Sequence, residues 1–177
     1  MLVNCSLMYR PPPIHHRQSV AFPQLCPRKK VPTVISSQSV VDLLAAYWFD
    51  VDHRCGAGAH LLFTEDGELQ FESARVVGQS AIEALYRARA ARGPRVSRHV
   101  LSNVHIHTWT DNSVEVVSVL TLYAQDGLAP QSNTNPIAVA DVHDRLVETA
   151  EGLRVERRRT VNQFVSRDAH FAVPTEP

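Results

Sequence analysis

The chain has no excess of charge of either sign: 18 Lys and Arg are matched by 18 Asp and Glu in 177 residues, for a formal net charge of zero. With no positive field to gather phosphates, nucleic acid is excluded as the expected partner. Long hydrophobic runs are also missing. Although 44% of residues are hydrophobic, no run approaches the roughly 20 residues that cross a bilayer as a helix, so no membrane association is expected. Cysteine is scarce: Cys5, Cys26 and Cys55 are odd in number, widely spaced and without a CxxC pair. That gives neither a zinc motif, a redox couple nor a disulfide framework, and it fits a reducing, cytoplasmic setting. GxSxG, HExxH, GxGxxG and P-loop motifs are absent. Their absence argues against an elbow nucleophile, a zinc hydrolase and a phosphate cradle. No metal and no cofactor are expected.

Residues 1–35 also lack something, namely any acidic residue before Asp42, while Pro11, Pro12, Pro13, Pro23, Pro27 and Pro32 interrupt any helix. This segment reads as an irregular or disordered leader, with a transit peptide as the alternative; the prolines spoil the amphipathic helix a transit peptide needs. A single folded domain is expected over residues 36–166, followed by a tail over 167–177.

What is present is a clear sequence of periodicities. Serines 36, 37 and 39 offer a helix cap, and Val40, Leu43, Leu44, Tyr47, Trp48 and Val51 recur at helical spacing as one apolar stripe. Asp50 and Asp52 flank that stripe, and helical geometry alone does not choose between them. A short turn from His60 to Phe63 comes next, then an Asp66-Gly67 tight turn entering a strand over 68–71, and a second strand over 75–77. A helix from Ser80 to Ala91 stops at Gly93-Pro94. Alternating segments 96–109, 114–124, 138–149 and 153–164 then read as four long strands. Helices followed by a mostly antiparallel sheet predict an α+β domain with helices against one sheet face.

Polar groups stand where core residues are expected: Tyr47 and Asp52 on the apolar first helix, Arg98-His99 at the start of a strand. Burying such groups costs several kcal/mol unless they pair, so their placement points to a pocket and to proton transfer. Strict alternation puts His99, Leu101, Asn103, His105 and His107 on one strand face and Val100, Val104 and Ile106 on the other. Three alternating histidines invite a zinc reading, but no ligand spacing supports it, and His105 and His107 are read as exposed or structural. In the last strand the same alternation groups Arg157 and Arg159 with Leu153 and Val155, and sends Arg158 to the opposite face with Arg154 and Glu156. The competing reading makes Tyr47 a satisfied core aromatic and Asp52 the ion-pair partner of Arg98 or His53.

The segment from Leu43 to Asp52, the run Leu62-Phe63-Thr64-Glu65-Asp66-Gly67, Gly78, and Arg98-His99-Val100-Leu101-Ser102-Asn103 together resemble the SnoaL-like group of the nuclear transport factor 2 superfamily. Residues 151–158 are similar to that group's last strand, with Leu153 where a Trp usually stands. The resemblance spans about residues 37–165. It implies a cone-shaped α+β barrel, with N-terminal helices packed into a strongly curved, mostly antiparallel sheet around a deep apolar pocket. It further implies a cofactor-independent lyase, isomerase or cyclase of the dehydratase kind, acting on a hydrophobic carbonyl-bearing small molecule such as a steroid, polyketide or aromatic compound. Tyr47, Asp52 and His99 match the group's catalytic positions; in these roles His99 is the base, Asp52 orients it and Tyr47 is the electrophile. Asn103 and Arg157, or Arg159 in its place, shape the pocket together with Trp48 and Phe63. Two other classes stay open: a non-catalytic subunit like the small subunit of ring-hydroxylating dioxygenases, and a small-molecule binding module. The apolar face of Val100, Val104 and Ile106 predicts a homodimer or homotrimer.

Overall fold

The computed structural model describes residues 35–72, 74–132 and 134–171. The expected leader therefore lies outside the described residues except for Ile35, which is buried in the core, and the last part of the expected tail lies outside them too. Helix α1 (Ser37–Arg54) opens with a capping box, in which the Ser36 side chain accepts from the Ser39 amide and the Ser39 hydroxyl accepts from the Ser36 amide. This satisfies two of the amides that a helix start leaves unpaired. The helix ends as Cys55 and Gly56 both adopt positive φ. A 3-10 turn (Ala59–Leu62), strands β1 (Phe63–Gln70) and β2 (Arg75–Val77), and helix α2 (Gln79–Ala91) follow. Four long strands complete the fold: β3 (Arg95–Trp109), β4 (Ser113–Asp126), β5 (Ala138–Thr149) and β6 (Gly152–Val165). They form one sheet in the order β2-β1-β6-β5-β4-β3, antiparallel except for the parallel β1–β6 pair. The apolar stripe of α1 is buried, together with Phe63, Leu69, Ile82, Val142 and Leu146 from the other elements. This is the α+β architecture the periodicities predict. Among the described residues no helix is long and apolar enough to cross a membrane.

The Asp66-Gly67 turn is not a chain reversal. Strand β1 begins already at Phe63, and its pairing with β6 slips between Phe63 and Glu68. Gly67 sits where a Cβ would lie 2.8 Å from the Phe63 Cβ, so the glycine permits a tight kink within one strand.

Bulges also reset which side chains face inward. In β3 the pairing with β4 shifts between Ser102 and His105, and Asn103 takes a φ of 49°. The added residue turns Val104 and Ile106 toward the core while Val100 stays outside. The continuous apolar outer face expected of these three residues therefore does not form. In β6 the pairing with β5 shifts between Arg145 and Leu146, so Val155 and Arg157 are successive partners across Glu156. That bulge carries Arg158, not Arg157 or Arg159, onto the buried face beside Val155.

Candidate active site

Between the helices and the sheet lies an open-mouthed cavity of about 80 Å³. Its wall is aliphatic over β4 and β5, where Ala124, Ala138 and Ala140 contribute only a methyl each in place of the branched side chains usual in β-sheet cores, and polar over β3 and β6, which bring Arg95, Ser97, His99, Thr160 and Asn162. The α1 stripe supplies Tyr47, Trp48 and Val51, and α2 supplies Tyr86 and Arg89. Phe171 also lines the cavity, and the segment after β6 is tied to the start of β3 where Arg95, itself paired with Asp126 (2.6 Å), donates to the His170 carbonyl (2.5 Å).

Asp52 and His99 meet here. The last turn of α1 crosses the start of β3, and Asp52 Oδ1 lies 2.6 Å from His99 Nδ1 while Oδ2 accepts the His99 backbone amide at 2.8 Å. Oδ1 also accepts the Ser97 hydroxyl at 2.7 Å. Neither Arg98 nor His53 takes the carboxylate: Arg98 donates to the Ser97 carbonyl, and His53 lies against the Phe49 ring. The choice between the two helix acids is settled by geometry. Asp50 accepts from the Gly58 amide at 2.8 Å and pairs with Arg54, so it ties the helix end to the following turn.

The imidazole stacks on the Trp48 ring, with centroids 4.5 Å apart and planes 13° from parallel. A carboxylate can only accept, so Nδ1 carries the hydrogen and Nε2 keeps its lone pair. Among the described residues Nε2 has no hydrogen-bond partner, and His99 lines the cavity. Burial pushes the imidazole pKa below its ordinary value against the pull of Asp52. Burial alone would raise the Asp52 carboxyl, but the hydrogen bonds and charge of His99, the His99 amide and Ser97 together hold it below its usual range. The pair therefore rests at neutral pH as carboxylate and neutral imidazole.

Both depressed values act on stability in the same direction. As pH falls through about 6.5 and then through the carboxylate range, the unfolded chain takes up protons that the folded one does not, so stability present above these values is lost. The thermal midpoint is expected to fall from pH 7 to pH 4. In His99→Gln the upper part of that fall, between pH 7 and 5, flattens when followed by circular dichroism; an unchanged profile would refute the buried neutral imidazole.

Tyr47 is buried and its hydroxyl is hydrogen-bonded to that of Tyr86. Tyr86 reaches this place because residue 56 is glycine: a Cβ there would stand 2.2 Å from the Tyr86 ring. Burial raises the pKa of both phenols, so both stay protonated. One hydroxyl hydrogen bridges the pair and the other is left for an outside acceptor.

Beneath the Tyr47 ring lies the Arg158 guanidinium, 4.0 Å from the centroid, paired bidentately with Asp144 at 2.7 and 3.0 Å. Burial opposes the arginine's charge, yet the Asp144 carboxylate outweighs it and holds the guanidinium protonated. Both side chains are fully buried.

Three expected pocket residues lie elsewhere. Asn103 is exposed on the β3 bulge, Arg157 is exposed because of the β6 bulge, and Phe63 is a core residue edge-on to Tyr47, outside the cavity lining. Trp48 does line the cavity. His105 and His107 are exposed beyond the bulge and do not converge with His99. Sequence reasoning missed Ser97, Tyr86 and Arg89, although each carried a signal. Ser97 shares a strand face with His99, and Tyr86 and Arg89 continue the buried stripe of α2 from Ile82.

Residues 33–159 match the sequence profile of the family described as the SnoaL-like domain. Among solved structures, the fold is similar to that of a putative scytalone dehydratase from Novosphingobium aromaticivorans, with a TM-score of 0.64, 16% identity, and coverage of 77% of this chain and 89% of that one. It is similar also to ActVI-ORFA from Streptomyces coelicolor (TM-score 0.61, 22% identity, 71% and 96% coverage). A third is a protein with a cystatin-like fold from Nostoc punctiforme (TM-score 0.60, 19% identity, 71% and 90% coverage). These likenesses establish the fold. A comparison with curated protein sequences finds no match.

Proposed function

The chain belongs to the SnoaL-like domain family, and on that premise we propose that it is a cofactor-independent lyase or isomerase acting on a hydrophobic, carbonyl-bearing small molecule. The observation that carries this reading is the 2.6 Å contact between Asp52 and His99 Nδ1 on the wall of an apolar cavity. A neutral imidazole with its lone pair toward the cavity removes a proton from the carbon next to a substrate carbonyl. The negative charge that develops on the carbonyl oxygen is met by the free hydroxyl hydrogen of the Tyr47–Tyr86 pair, in a site where water competes little. The imidazolium then returns its proton, either to a β-hydroxyl, whose C–O bond breaks as water leaves and the C=C bond forms, or to another carbon, which completes elimination or double-bond migration and restores the neutral imidazole.

Asp52 fixes the tautomer and steadies the imidazolium formed in the step. The buried Arg158–Asp144 pair fixes the Tyr47 ring from below. The carbonyl-bearing polyketide, steroid and aromatic substrates expected of the family share a largely apolar body. Such a body suits a wall of alanines opposite Trp48 and Tyr47.

The test is exchange of the acidic C–H of a panel of apolar β-hydroxy ketones and cyclic enones in deuterated buffer, followed by proton NMR. Exchange or elimination by the unaltered protein, falling on the acid side as His99 protonates, is the expected result. No exchange across the panel, with compounds nonetheless bound, would favour a binding module instead.

A further inference from the structure

Arg89 is a buried cation on α2 that the proton-transfer scheme does not use. Among the described residues no carboxylate contacts it directly. Its Nη2 donates to the Ser97 hydroxyl oxygen at 3.2 Å, and that hydroxyl in turn donates to Asp52 Oδ1 at 2.7 Å. Its Nη1 donates to the Val51 carbonyl at 3.2 Å, one residue before Asp52. The Cys55 and Gly56 amides both turn to the Asp50 carbonyl, so the Val51 carbonyl is engaged from α2 by this guanidinium.

We propose that Arg89 is a positioning residue for the Asp52–His99 pair, acting through Ser97 as a one-way hydrogen-bond relay that holds the Asp52 carboxylate in place against the imidazole. The inference rests on reading His99 as the base. A guanidinium has donors only, so the Ser97 oxygen must accept from it, and the single Ser97 proton then points to Asp52. Oδ1 receiving Ser97 and Oδ2 receiving the His99 amide both stabilise Asp52 as the ionised carboxylate, which has no proton to offer Nδ1. Nδ1 must donate, and Nε2 is left as the acceptor.

Charge works the same way. A fixed cation one hydroxyl away from Asp52 answers the carboxylate's charge, which would otherwise be free to draw a proton onto the ring. The charged and titratable groups around His99 are Asp52 from α1, Arg89 from α2 and Arg95 from β3, with Tyr47, Tyr86 and Glu72 also on the cavity wall. Opposite His99 on β4 stands apolar Leu122. Arg95 is already answered by Asp126, which leaves Arg89 as the cation coupled to the pair by a hydrogen-bond path.

The test is NMR titration of the His99 ring, identified among nine histidines by its loss in His99→Gln. The nitrogen shifts report the tautomer and the pH series reports the midpoint. In Arg89→Gln the midpoint is expected to rise by about half to one pH unit as the cation is lost, and in Arg89→Lys it stays near that of the unaltered protein. In Ser97→Ala, which keeps the cation but cuts the relay, the midpoint rises by a smaller amount. Should Arg89→Gln not fold, Ser97→Ala decides. A midpoint unmoved in every folded variant, with only thermal stability lowered, would make Arg89 structural and overturn the proposal. The titration needs no substrate. A shifted ring in a protein without turnover therefore upsets the proposed activity and not the relay, and turnover with an unmoved ring does the reverse.

Discussion

Replacing His99 with alanine is expected to lower kcat by about 10²–10⁴-fold, the usual contribution of a positioned general base, equivalent to about 3–5 kcal/mol in the barrier. Substrate binding should change little, because the cavity walls, including Trp48, remain. Asp52→Asn should come close to the same loss for a different reason. The carboxylate accepts from three donors, the Ser97 hydroxyl, His99 Nδ1 and the His99 amide. An asparagine has one accepting oxygen, so its NH2 must face either the backbone amide or the side-chain pair. If it faces Nδ1 it donates there, drives the hydrogen onto Nε2 and removes the base. Single-turnover kinetics with the C–H exchange substrate decides between the outcomes. Full activity in both variants would remove the pair from the mechanism, and loss in both with unchanged KM would keep it.

The second large effect is on folding. Asp144→Ala is expected to destabilise the protein by about 3–5 kcal/mol, because it leaves the Arg158 guanidinium buried without its counter-charge. For a domain of this size that lowers the thermal midpoint by roughly 10 °C or more. Arg158 Nη1 already lacks a hydrogen-bond partner, and the Tyr47 and Trp48 faces, 4.0 and 5.1 Å away, compensate only in part. Replacing both members at once, Asp144→Leu with Arg158→Met, removes the charges together and should recover most of the stability. Urea denaturation of the single and double variants measures both. A single variant as stable as the parent would contradict the fully buried ion pair. The double variant should fold yet turn over poorly, since Tyr47 loses the cation that fixes its ring.

Much of this was legible residue by residue. The α1 stripe from Val40 to Val51 and the long alternating runs gave the helices and strands nearly to their ends, because burial of one face imposes its period on the sequence. The contact between Asp52 and His99 was legible because titratable groups on apolar elements are costly unless they meet, whereas the Tyr47 hydroxyl found Tyr86 instead. Asn103 and Arg157 were misplaced for a single reason: each follows or occupies a bulge, and one added residue flips the side chains after it to the opposite face until the next bulge. Phe63 was misplaced because apolar character fits a core and a pocket wall equally.

By itself, then, the order of the residues determined which segments are helix or strand, which faces are apolar, and that an acid, an imidazole and a phenol sit among them. Those are local properties, carried by period and side-chain type. Tertiary structure alone decided that Asp52 and not Asp50 meets His99, that Arg158 and not its neighbours goes inside, and that Tyr86, Ser97 and Arg89 join the site. Such choices turn on the register of bulged strands and the crossing of α1 over β3, where a shift of one residue reverses the outcome and no periodicity records it.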